Sequence, residues 1–209
     1  VSGGTVGGSF PINGNTMTIA TATLASFDFA IAVTPNANTS LDPQEGYTAW
    51  QNTVSVGTRA VYLKSMNFRI IGSIESKDLK NYKLLVDGVQ VGSTVSQMDA
   101  SSYVLFDLSS APKKLEAGSR VFKVVLDVIG GSNRNFQVSL RNAADVSVTD
   151  SDYGSNILAR GDGSSTSNTF AEHINGLQTI SVGTLTITKK STSLSGNVTL
   201  SASNVALGT

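Results

Sequence analysis

The most regular feature of the chain is the alternation of apolar and polar residues. Phe122, Val124, Leu126 and Val128 fall on one side, with Lys123 and Asp127 on the other. Phe136, Val138 and Leu140 alternate with Gln137, Ser139 and Arg141. A period of two marks a strand with one face buried. Phe27, Phe29, Ile31 and Val33 predict a third such row, and Thr184-Leu185-Thr186-Ile187-Thr188 a fourth with its threonines outward. Tyr82, Leu84 and Val86 run into Asp87-Gly88, and Val89 and Val91 lead away. That arrangement predicts a hairpin closed by a type I′ turn, whose two central residues need positive φ. In "RAVYLKSMNFRII" the phase slips: Val61 and Leu63 are odd, but Met66, Phe68 and Ile70 are even. One extra residue near Ser65 restores the facing, so a β-bulge is expected there.

No stretch carries a period of 3.6. The segment "SKDLKNYKLL" could open as a helical turn, and "SSAPKKLEAGS" could hold a short 3₁₀ turn. Two long loops are expected, 34–52 and 150–172. Many short strands joined by clear turns predict an all-β protein, an antiparallel β-sandwich of Greek-key, jelly-roll or Ig-like type.

Charge narrows the partners. Only 14% of the 209 residues are charged, and 15 basic residues balance 15 acidic ones. Nucleic acid is not an expected partner, because phosphate binding needs a basic footprint. No apolar run approaches the roughly 18 residues of a membrane span, and no signal peptide is visible. The chain has no cysteine and is rich in Ser, Thr, Gly and Asn, a composition that suits the cell surface or the extracellular space. It opens on Val1 and not on Met, so a mature form or an excised region is expected.

Candidate chemistry is thin. His173 is the sole histidine; with no nucleophile-elbow sequence it is expected at the surface or a strand edge, and catalysis is not expected. Zinc lacks ligands. Asp145, Asp150, Asp152, Asn156 and Asp162 offer hard oxygen donors around a Gly-containing loop, which suits calcium and equally suits plain turns. No other cofactor is expected. Asn38 and Asn197 open N-glycosylation sequons, so an attached or bound glycan stays open. Trp50 with Tyr47 is either a sugar-stacking platform or a loop anchor. Glu45, Glu75, Glu116 and Glu172 are scattered, and Arg160-Gly161-Asp162 is a short integrin-type tripeptide.

The C-terminal segment echoes the beginning. Thr23-Leu24-Ala25-Ser26 precedes Phe27-Asp28-Phe29, and Ala206-Leu207-Gly208-Thr209 lines up with its first four residues. Between them come "TLASF" at 23–27, Val61-Tyr62-Leu63-Lys64-Ser65-Met66-Asn67-Phe68, "DLKNYKLLVDGVQVG" at 78–92, and an "L-x-A-G-S" turn at 115–119 ahead of "RVFKVVLDV". Over roughly residues 20–150 this order resembles a tandem β-sandwich module of very large bacterial cell-surface and surface-layer-like proteins. The resemblance implies a sandwich fold and an assembly role, with no chemistry. The expected organisation is a sandwich domain over 1–182 and a strand segment over 183–209, donated to a neighbour or starting a next module. The alternative is that the segment folds back into its own sandwich. Leu185, Ile187, Val198, Leu200, Val205 and Leu207 are the expected inserted side chains, and the partners are copies of the chain or adjacent modules. The expected role is non-enzymatic, in a filament, surface layer or giant surface protein. The alternative is an adhesin or carbohydrate-binding module using the two loops.

Overall fold

The computed structural model describes residues 3–4, 23–161 and 169–181. In chain order the strands are β1 (Ser26–Phe29), β2 (Thr39–Leu41), β3 (Gln44–Gly57), β4 (Val61–Gly72), β5 (Leu79–Val86), β6 (Val89–Val95), β7 (Tyr103–Asp107), β8 (Lys113–Leu115), β9 (Gly118–Val128), β10 (Asn135–Leu140), β11 (Val146–Asp150), β12 (Asn156–Ile157), β13 (His173–Ile174) and β14 (Gln178–Ile180). They form a two-sheet β-sandwich. One sheet has the order β1-β3-β9-β5-β6; the other runs β12-β11-β4-β10-β14-β2. Strand β4 carries β11 and then β10 along one flank, and β8 and then β7 along the other. Every pairing between these strands is antiparallel except β14 with β2, and two isolated bridges, Asp28 with Arg160 and Gly161 with Phe170, are parallel as well, so the expected antiparallel pattern has parallel exceptions. The only helical element among the described residues is a 3₁₀ turn, Ala143–Asp145.

Alternation decides which side chains meet. Phe122, Val124, Leu126 and Val128 are all buried, as are Phe136, Val138 and Leu140. The hairpin closes with Val86 opposite Val89, and Asp87 and Gly88 have φ of 49° and 82°, as a type I′ turn demands. The β4 bulge lies where the phase slips: Ser147 faces Ser65, but Val148 faces Leu63. Without that extra residue, Leu63 and Met66 would lie on opposite faces of the sheet; with it both are fully buried.

Four sequence expectations change. The region 34–52 is mostly strand, since β2 and the first half of β3 lie inside it. Two register shifts in β3, one around Gly46 (φ 67°) and one at Thr48/Trp50, break the alternation that would have revealed it. Ile31 is 67% exposed, because β1 ends at Phe29 and the chain turns before Val33 returns to the core. The "SSAPKKLEAGS" segment holds a turn closed by Ala111 N–H to the Leu108 carbonyl, then β8, with no 3₁₀ turn. "SKDLKNYKLL" makes a turn over 76–78 and enters β5 directly. The Thr184–188 row and the whole of 183–209 lie outside the described residues.

The sandwich is long, and its two poles differ. Strand β3 reaches Gly57, turns through Thr58, and crosses to β4 at Val61. Ser26 of β1 sits opposite Gly57, and Asp150 of β11 opposite Val61, at this Thr58 pole. At the far end, Gly72 of β4 faces Phe136, Asn135 faces Thr179 of β14, and Ser181 N–H donates to the Leu41 carbonyl. The 14 residues of β3 put the two poles roughly 40 Å apart at about 3.3 Å per residue.

Candidate functional site

At the Thr58 pole the chain enters the sandwich through a buried carboxylate. Asp150 is fully buried. Its Oδ2 accepts from Ala25 N–H at 2.8 Å, and its Oδ1 accepts from Asp152 N–H (2.8 Å) and Tyr153 N–H (3.1 Å). Arg59 Nε lies 3.8 Å away, and the Arg59 guanidinium sits over the Tyr153 ring and pairs with Asp152 at 3.0 Å. Burial opposes the charge on Asp150. The amides of Ala25, Asp152 and Tyr153, with Arg59, outweigh burial and hold the carboxyl below its ordinary value. The sequence could not show this, because a turn aspartate and a buried latch look alike until Ala25, 125 residues away, is placed beside it.

Beside the latch the two sheets part. Arg160 follows β12 and pairs with β1: its N–H donates to the Phe27 carbonyl (2.9 Å), and Phe29 N–H donates to the Arg160 carbonyl (2.8 Å). Its guanidinium forks onto Asp28, with Nε to Oδ1 at 2.5 Å and Nη2 to Oδ2 at 2.9 Å. Before Arg160, residues 23–26 and 156–158 diverge. They leave a cleft of about 420 Å³ between them, floored by Thr58 and Arg160. A second cleft of about 310 Å³ lies against Ala143, Val146 and Val148 and shares residues 156–158. Leu24 and Leu158 rim the first cleft and are 41% and 56% exposed.

The predicted calcium ligands do not converge. Asp150 is committed to its amides, Asp152 to Arg59, and Asp145 accepts from Asn142 N–H at 2.9 Å. Asn156 lies on β12, and Asp162 lies outside the described residues. Among the described residues no group of three His, Cys, Asp or Glu side chains could hold a metal. Asn38 is exposed, and its Oδ1 accepts from Leu177 N–H; Asn197 lies outside the described residues. The donor-segment residues Leu185, Ile187, Val198, Leu200, Val205 and Leu207 lie there too. Three of the four scattered carboxylates have local partners: Glu75 bonds Lys77 and Arg134, Glu116 bonds Lys114, and Glu172 accepts from Ser139; Glu45 is exposed.

Trp50 and His173 both lie in the core. Trp50 is no sugar platform: it is fully buried, donates Nε1–H to the His173 carbonyl (2.9 Å) and stands edge-on to Phe68. Tyr47 donates to Gln178 Oε1 at 2.6 Å. The carbohydrate-binding alternative therefore loses its aromatic pair and most of its first loop. His173 is also buried, against the surface position expected of it. Its ring packs 5.3 Å from Phe29 and 5.0 Å from Phe170.

Burial pushes the His173 imidazole below its ordinary value, against the Gly161 backbone, which favours the charged form. Asn52 Nδ2 lies 3.3 Å from its Nδ1, a geometry that suits a neutral ring accepting a hydrogen bond. A base held neutral in the fold leaves stability intact above its unfolded value of about 6.5 and erodes it as pH falls below that. Thermal melts are therefore expected to drop between about pH 7 and about pH 5. A His173→Phe protein should lose the part of the slope that begins near 6.5; an unchanged slope would show that His173 is not its source.

No family model matches the chain, and no curated protein matches it. Among solved structures it is similar to the seventh ScaB type I cohesin from Pseudobacteroides cellulosolvens, at 9% identity and a TM-score of 0.28. The match covers 79% of this chain and 99% of that one. At that identity and score it carries no argument about function. No helix among the described residues is long and apolar enough to cross a membrane.

Proposed function

We propose that the chain is a non-enzymatic structural subunit or module at the cell exterior, part of a filament, a surface layer or a giant surface protein. Residues 1–182 form the sandwich domain and 183–209 the strand segment passed to the next sandwich. One observation carries this reading. The described chain joins the sandwich at Thr23–Ala25 on the Thr58 pole and leaves at Ser181 on the Gly72 pole. A unit whose described ends lie at opposite poles suits connection in series. A head-to-tail contact of this kind repeats without closing, which gives a chain and not a dimer. The side chains add support: His173 is buried, Asp150, Glu75, Glu116 and Glu172 are engaged with structural partners, and the low charge and Ser/Thr-rich composition suit the exterior.

The test compares the full chain with a form ending at residue 182, by sedimentation and negative-stain microscopy. The full chain is expected to form end-to-end strings that lengthen with concentration. The shortened form is expected to stay single while keeping its melting temperature. Equal assembly by both forms would remove strand donation as the mechanism.

A further inference from the structure

From the geometry of the Thr58 pole we infer the acceptor: the cleft between residues 23–26 and β12 receives the segment 184–188 of a second copy of this chain. This rests on the reading that 183–209 is donated, and it names the place of attachment. The cleft is a gap between two sheet edges. Asp150 N–H donates to the Ser155 carbonyl, and Val148 faces Ile157, so β12 turns those residues toward β11. In an antiparallel pair the alternate residues face the other way, and these are Asn156 and Leu158. Leu158 makes no backbone hydrogen bond among the described residues. Two residues on, Arg160 does pair outward, with β1. The outer edge of β12 is therefore taken at Arg160 and open at Leu158.

Three other edges are partly closed to an added strand. On β1, the carbonyl of Phe27 and the N–H of Phe29 are used by Arg160. On β6, Gly92 has φ 71° and its carbonyl is capped by the Gln90 amide at 3.1 Å; a kinked, self-capped edge resists pairing. On β7, Tyr103 exchanges bonds with Asp99 through both its N–H and its carbonyl. The first cleft combines an open edge with exposed apolar side chains on both walls, Leu24 and Leu158, and a buried Ala25, whereas Leu105 of β7, unbonded outward among the described residues, lines neither cleft.

The occupant follows from where the described chain ends. Ser181 leaves at the Gly72 pole, about 40 Å from the cleft of its own sandwich. Residues 182–209 would span roughly 90 Å fully extended, so length alone permits a return. Direction favours the neighbour. Stacked end to end, one copy's exit abuts the next copy's cleft, whereas a return must run back along the whole sandwich. Segments 184–188 and 197–201 both alternate strictly, and 184–188, nearer to Ser181, needs the shorter connection to an abutting neighbour. Leu185 and Ile187 would face Leu24 and Leu158, and the threonines would face solvent.

The chain has no cysteine, so introduced thiols report cleanly. A Leu158→Cys protein is mixed with an Ile187→Cys protein, or with Leu185→Cys to allow a shifted register, under mild oxidation. The control mixes the same tail variants with Leu105→Cys, which is 52% exposed on β7. Docking raises the local concentration into the millimolar range, so the Leu158 mixture should yield at least about ten times more covalent dimer than the control. Equal yields would overturn the acceptor assignment, while the shortened form separately decides whether 183–209 drives assembly at all. A single chain carrying both thiols that closes only on itself would also overturn it, since its own tail would then hold the cleft.

Discussion

A Trp50→Ala protein is expected to lose about 3–5 kcal/mol of stability, the range for deleting a fully buried aromatic side chain. Trp50 joins the sheets: its ring stands 5.0 Å from Phe68, which lies 6.0 Å from Phe106. These side chains are fully or almost fully buried in strands fixed by their own ladders, so the cavity cannot collapse cheaply. The substitution also strands the His173 carbonyl, which accepts the indole N–H. Trp50→Phe keeps most of the packing and loses that bond, so it should cost about 1–2 kcal/mol. Denaturant unfolding followed by circular dichroism reads both, since Trp50 is the only tryptophan. A loss below about 1 kcal/mol for Trp50→Ala would place Trp50 at the surface, as the sugar-platform alternative had it.

Gly72→Ala is expected to cost roughly 2–4 kcal/mol, because two penalties coincide there. Gly72 has φ 135°, a backbone that side chains rarely adopt, and a Cβ would overlap the Asn135 carbonyl. That carbonyl is not free to move: Ser73 N–H and Ile74 N–H donate to it at 3.0 and 3.2 Å. Gly88 separates the two effects. It has φ 82° in the hairpin turn, with open space where its Cβ would stand. Gly88→Ala therefore pays only the backbone term, about 1 kcal/mol. Equal losses in parallel unfolding curves would show that the Asn135 contact contributes nothing.

Much of the sandwich was legible because strand facing is a local property. The burial of β9 and β10, the Asp87-Gly88 hairpin and the β4 bulge follow from neighbours two residues apart. Strand β3 hid because two bulges reset its phase within a few residues, and "NANTSLDPQEG" reads as turn chemistry. Of the site, the exposed Leu24 lay in a quoted motif, but the cleft did not show. Its walls come from residues 23–26 and 156–158, far apart in sequence, and nothing local says that they diverge.

By itself the sequence determined the class of fold, the inward face of its most regular strands, and an even balance of charge. Alternation and charge count do not depend on what packs against what. Only the tertiary structure decided that Trp50 and His173 are interior, that Asp150 latches Ala25, and that Thr23–Ala25 and Ser181 lie at opposite poles. Each of these depends on which distant strands become neighbours. That choice is made by pairing register and core packing summed over the whole molecule, and no short stretch of residues contains it.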